Sequence, residues 1–147
     1  MRTLMGLAAA AAMLAGCTTT GSGGGSGGDP SPLVGTWRLV ELQSSDDAIG
    51  TTRPDDPSKY ELTLNADGSV AARLDCNRGV GQWQSNGPNE ITFGQLGMTR
   101  AMCLGNSLDT RIARDLGFVR TYVLQGDRLS LNMFADGGNL VWDRTAP

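Results

Sequence analysis

Asp75-Cys76-Asn77-Arg78-Gly79-Val80-Gly81-Gln82-Trp83 is the stretch on which the reading of this chain turns. Cys76 closes an alternating apolar run (Val70, Ala72, Leu74), and two glycines then let the backbone bend before a second alternating run starts. A later segment, Met98-Thr99-Arg100-Ala101-Met102-Cys103, also ends on a cysteine. Two strand segments ending this way imply one staple between neighbouring pieces of sheet. Upstream, Lys59 to Asn65 alternates with Tyr60, Leu62 and Leu64 on one side, and Asp67-Gly68 is a hairpin signal leading into Ser69 to Asp75. Leu33 to Leu42 predicts a first strand with a mixed pattern, with Trp37, Leu39 and Glu41 on one face and Arg38, Val40 and Leu42 on the other. Downstream, Gly81 to Ser85 pairs with Glu90 to Phe93 across Asn86-Gly87-Pro88-Asn89.

One helix is expected after Cys103. Asn106 or Ser107 supplies a cap, and Asp109 sits favourably in the first turn. Leu108, Ile112, Leu116 and Val119 form its apolar stripe, while Arg111, Arg114 and Asp115 are expected to point outward. Three strands follow, Val119 to Gln125, Arg128 to Phe134 and Asn139 to Arg144, turning at Gly126-Asp127 and Asp136-Gly137-Gly138. The fold class is therefore mostly β: a small antiparallel β-barrel-like domain of about eight strands with one inserted α-helix, a two-sheet sandwich being the alternative.

The first sixteen residues carry Arg2, a short apolar run and Leu14-Ala15-Gly16-Cys17, which resembles a bacterial lipoprotein signal with Cys17 as the lipidated first residue of the mature protein. Residues 17–32 are a Gly/Ser linker with no strand or helix beside its glycines, so it reads as a tether and not a phosphate loop. Residues 33–145 are the domain, large enough for one core. Loss of the leader removes Arg2 and no acid, which moves the formal net charge from −3 to −4. Such a balance argues against nucleic acid. There is also no polybasic cluster for anionic lipid, so membrane attachment is expected through the lipid on Cys17 in the cell envelope. Thr18 after that Cys resembles lipoproteins sent to the outer membrane, which implies a place there facing the periplasm.

Cys76 and Cys103 then form an even pair in an oxidising compartment, where a disulfide is the default. Free thiols or a metal site are the alternatives. A metal needs further ligands, the chain has no His, and no metal or cofactor is expected. Asp46-Asp47 and Asp55-Asp56 lack the spacing of a calcium loop. A reactive thiol would want a base or a helix N-terminus beside it; Arg78, Arg100 and the following helix are near in sequence, but no Cys-x-x-Cys is present. Asn77 is expected to satisfy backbone groups in a turn, and Gly79 and Gly81 to mark a bulge or bend. Arg78 and Arg100 are expected to pair with Asp75, Glu61 or another acid, the alternative being an anionic ligand. Trp37, Trp83 and Trp142 read as core, with an aromatic-lined ligand cavity as the alternative.

Together these segments resemble the META (HslJ-like) domain family. The pieces that carry the resemblance are Gly35-Thr36-Trp37, Leu62-Thr63-Leu64, Cys76-Asn77-Arg78-x-x-Gly81-Gln82, Thr99-Arg100-x-Met102-Cys103 and Leu129-Ser130-Leu131. The resemblance implies a small envelope protein, often a lipoprotein, tied to stress response or drug tolerance, with no established enzymatic activity. The function expected is thus non-enzymatic, through an unidentified envelope protein partner or envelope maintenance; the alternative is a carrier of a small apolar ligand inside the barrel.

Overall fold

A computed structural model describes residues 31–146; the leader, Cys17 and the linker up to residue 30 lie outside the described residues. The strands are β1 (Gly35–Gln43), β2 (Thr51–Thr52), β3 (Tyr60–Leu64), β4 (Ser69–Leu74), β5 (Asn77–Gln84), β6 (Thr92–Phe93), β7 (Gly97–Met98), β8 (Val119–Gln125), β9 (Arg128–Met133) and β10 (Asn139–Ala146), with one helix, α1 (Asp109–Leu116). Pairing is antiparallel throughout, in the order β6-β5-β4-β3-β1-β10-β9-β8, with β2 added to β1 and β7 to β5. The two ends of that order meet. Ile91 N–H donates to Arg120 O at 3.1 Å and Tyr122 N–H to Asn89 O at 2.9 Å, so β8 meets the residues just before β6. The sheet therefore nearly closes into a barrel, which removes most of its exposed edge.

Alternation places the interior. Tyr60, Leu62 and Leu64 of β3 and Val70, Ala72 and Leu74 of β4 are all buried. The turn between these strands uses Gly68 at φ +83°, with the Asp67 carboxylate accepting from Ser69 N–H at 2.8 Å. The mixed pattern of β1 has a physical cause. Leu39 faces Trp142 and Glu41 faces Val141, so Val40 is an extra, bulged residue. The bulge resets the phase, and Leu42 lands on the same buried face as Trp37 and Leu39. The expected assignment of Leu42 and Glu41 to faces is corrected accordingly.

β5 begins two residues earlier than a bend at the glycines would allow. Leu74 pairs with Asn77, and the register runs without a break to Ser69–Gln82, so Gly79 and Gly81 sit inside a regular strand and make no bulge. The turn is Asp75-Cys76, and the positive φ (57°) belongs to Asp75 and not to Asn77. Met98 to Cys103 is likewise not one strand: only Gly97 and Met98 pair, with Val80 and Gly79.

The helix starts later than its sequence signals. Leu108 is at the cap without a side-chain cap bond. Its N–H donates to the Tyr60 hydroxyl at 3.1 Å, while Ser107 Oγ accepts from Asp109 N–H at a long 3.4 Å. Ile112 and Leu116 face the core as expected, and Val119 reaches it from β8. Asp115 does not point outward: it is buried, held by Arg114 at 2.8 Å and Arg111 at 3.6 Å.

Trp37 and Trp142 lie in neighbouring strands, both fully buried among leucines from β1, β3, β4, β9 and β10. Their polar ends differ. Trp37 Nε1 donates to Leu33 O at 2.9 Å, whereas Trp142 Nε1 is buried with no acceptor among the described residues. Replacing Trp37 with Phe orphans a buried carbonyl, and replacing Trp142 with Phe removes an unsatisfied donor. Urea denaturation of the two variants is expected to show Trp37→Phe less stable than Trp142→Phe by about 1–2 kcal/mol; equal losses would contradict this assignment.

Candidate functional site

Asn77 is buried at 2% exposure although it opens a strand beside an exposed turn. Its side chain faces the irregular segment after β7. Asn77 Nδ2 donates to Ala101 O at 3.0 Å, and Asn77 Oδ1 accepts from Ala101 N–H at 2.8 Å. The carboxamide thus pairs with both backbone groups of one residue, Ala101, as a neighbouring strand would. Oδ1 also accepts from Thr99 Oγ1 at 2.9 Å, and Nδ2 donates to Asp109 Oδ2 at 2.8 Å in the first turn of α1. Backbone bonds extend the ladder, with Arg78 N–H donating to Thr99 Oγ1 and Thr99 N–H donating to Arg78 O, at 2.9 and 2.8 Å. One buried amide therefore ties β5, the 99–101 segment and the helix start together.

The Cys76–Cys103 disulfide closes the same junction from outside, with the Cα atoms 5.5 Å apart. Cys76 is exposed and Cys103 half-buried. Both thiols are thereby tied up, so neither is available as the nucleophile weighed from the sequence. Asn77 does not act in a turn as expected; it replaces a missing strand partner.

Gly79 and Gly81 have a different task from bending. A Cβ on Gly79 would collide with Met98 Sδ, and one on Gly81 would stand 3.4 Å from Gln95 O and 3.5 Å from Leu96 Cα. The bare strand lets the 94–98 segment lie directly across it. Beyond Phe93 this segment leaves the line of closure with β8, and an open cleft of about 950 Å³ remains between residues 94–102 and α1. Phe93, Leu96, Met98 and Ala113 supply its apolar lining, with Arg100 and Arg114 charged beside them. Met102 is 95% exposed at its edge, and Leu104, just past Cys103, is 92% exposed.

The expected ion pairs of Arg78 and Arg100 are not made. Glu61 is taken by Arg38 at 3.0 Å and Arg73 at 2.8 Å, and Asp75 by Lys59 at 3.5 Å. Arg78 instead reaches the carbonyls of Asp75 and Asn77 at 3.4 Å, and Arg100 has no carboxylate partner among the described residues. Of the other residues singled out in the sequence, Thr99 is brought to this junction, Gly81 lies further along β5 against Gln95 and Leu96, and Met102 lies at the cleft edge. Cys17 lies outside the described residues. No group of three His, Cys, Asp or Glu side chains that could hold a metal occurs among the described residues. The role of Asp109 was missed in the sequence, where it read only as a dipole-favourable helix start.

Burial pushes the Asp109 carboxyl upward, but hydrogen bonds from Asn77, the Thr110 N–H, Ser107 and the Thr110 hydroxyl outweigh it and hold the group below the usual carboxylate range.

A family model described as META domain matches residues 31–146. No curated protein matches the chain. Among solved structures, a DUF4847 family protein from Bacteroides vulgatus is similar at 13% identity and TM-score 0.57, covering 78% of this chain and 95% of its own. A second, determined by NMR, is similar at 24% identity and TM-score 0.51, covering 75% of this chain and 88% of its own. These likenesses are of fold.

Two outcomes follow from the Asn77 junction. Asn77→Asp puts a carboxylate against Asp109 and Ala101 O, so thermal and urea denaturation should show a loss of about 2–4 kcal/mol at neutral pH, partly recovered in acid as the new carboxyl regains a proton to donate. For the wild-type protein, a carboxyl with a depressed folded pKa stabilises above its unfolded value, near pH 4, and that contribution disappears as pH falls through the folded value. Acid titration of stability should therefore show a shallower decline below about pH 4 in Asp109→Asn than in the wild type; superimposable curves would contradict the role of Asp109.

Proposed function

The chain belongs to the META domain family, and from that premise we propose that it is a non-enzymatic, lipid-anchored protein of the bacterial envelope. It is held through Cys17 on the outer membrane facing the periplasm and serves stress or drug tolerance by engaging an envelope protein partner. The observation that carries this reading is the placement of the exposed apolar residues relative to the tether. The chain enters the domain at Ser31–Gly35, where Gly35 pairs with Leu64 and Leu64 with Val70. Leu74, Asn77 and the disulfide lie at the other end of the same strands, roughly 13 Å further along β4 by strand rise. Met102 and Leu104 are thus carried away from the anchored end, where a partner can reach them.

The interior favours a partner surface over a carrier. Trp37, Trp142 and nine leucines fill it with no measurable exposure, and the open cleft lies outside the barrel. No helix among the described residues is long and apolar enough to cross a membrane; in the proposed reading attachment is by the lipid on Cys17. That modification carries more than one acyl chain, as stable anchoring requires.

Cell fractionation with labelled fatty acid tests the anchor. Wild-type chain is expected to incorporate label and sediment with membranes, and Cys17→Ser to lose both. Membrane retention of the unlabelled variant would sink the proposal. Cells lacking the protein should also lose tolerance to envelope stress, and Cys17→Ser should fail to restore it.

A further inference from the structure

The distribution of charge around the cleft sets it apart from the rest of the surface. Eight of the eleven Lys and Arg residues among the described residues are ion-paired, from Arg38 to Arg144. The three without a carboxylate are Arg78, Arg100 and Arg120, and two of them, Arg100 and Arg120, border one place. Arg100 lines the cleft, and Arg120 donates to Gly117 O at 3.0 Å, with Gly117 in the cleft wall; the Arg78 guanidinium turns instead to the carbonyls of Asp75 and Asn77. A break in register between Val119 and Thr121 makes Arg120 a bulged residue, a device that re-aims a side chain. In a chain of formal net charge −3, two cations left without acids at one cleft are complementary to an anionic occupant. Asp109, the acid in the lining, is already engaged by Asn77 and Ser107.

The backbone adds a second feature. Thr99 and Ala101 direct their N–H groups at Arg78 and Asn77. In an extended chain alternate residues direct their N–H and C=O groups to opposite sides. The N–H groups of Arg100 and Met102 therefore face away from β5, on the cleft side, and donate to no group among the described residues. Such an edge accepts an added strand, with main-chain bonds for affinity and alternate pockets for side chains. Phe93, Leu96 and Met98 are placed to receive apolar side chains.

We propose that the cleft between residues 94–102 and α1 docks a short extended segment of a partner protein, one that carries apolar side chains flanked by carboxylates. The proposal rests on the partner-binding reading above and specifies its chemistry. An anionic membrane is the less suitable occupant, because the cleft is a recess between residues 94–102 and α1 and not a flat basic face.

A display library of random peptides, panned against the full chain in detergent micelles, tests this directly. Selected peptides are expected to be rich in Asp and Glu around Leu, Phe or Met, and their binding to weaken as salt is raised. Arg100→Glu should weaken the selected peptides at least about tenfold. Met102→Ser should weaken them less, and Ile49→Ser, an exposed residue that does not line the cleft, should leave binding unchanged; circular dichroism checks that each variant is folded. Selection of basic or uncharged peptides, no selection at all, or unchanged binding by Arg100→Glu would overturn the proposal. So would binding of phosphatidylglycerol vesicles that Arg100→Glu abolishes, because the occupant would then be lipid. These outcomes leave the Cys17 anchoring result untouched, so failure here is distinguishable from failure of the anchor.

Discussion

A buried carboxamide that cannot go unpaired is the constraint on which this structure depends. Asn77 is nearly free of solvent, so each of its polar atoms must find a partner inside the protein. It finds them on Thr99, Ala101 and Asp109. Residues 99–108 have almost no regular structure of their own and none of them is buried, so it is the bonds to Asn77 that fix their place. The side chain of Asn77 supplies to Ala101 the donor and acceptor that a neighbouring strand would have supplied. An Asp or Gln at this position would break the match, one by charge and the other by length.

Everything around the cleft follows from that junction. The 99–109 segment is held against β5, which sets the start of α1 and lets Ile112 and Leu116 reach the core. Gly79 and Gly81 let residues 94–98 cross the strand closely. Barrel closure proceeds through residues 89–91 and 120–122 and then stops, because the chain is drawn off toward Asn77. The cleft is the space left where closure ends. The disulfide reinforces the same junction from the solvent side.

Much of the fold was legible in the sequence because alternation is a direct record of burial. Tyr60, Leu62 and Leu64 against Val70, Ala72 and Leu74 gave a hairpin with the right turn, and the one helix was recognisable from its stripe. The disulfide followed from compartment and cysteine count. What escaped notice depends on contacts distant in sequence. The Val40 bulge shows in the sequence only as an irregular pattern, and the ion pairs of Asp115 are invisible to a reading that counts charges as outward. Asn77 read as a turn former because Asn usually is one. A polar residue flanked by a cysteine and a glycine-rich strand carries no local sign that it will be buried 24 residues away from its acceptor. The pairing of eight of the eleven cations with acids among the described residues could not be read from composition either; only the structure shows which arginines remain.

Native-state hydrogen exchange at the Ala101 amide tests the central claim, that the Asn77 carboxamide and not the disulfide holds this junction. Protection of Ala101 is predicted to survive reduction of Cys76–Cys103 in the wild-type protein and to be lost in Asn77→Ala with the disulfide intact. Full protection of Ala101 in oxidised Asn77→Ala, or its loss on reduction alone, would contradict the claim.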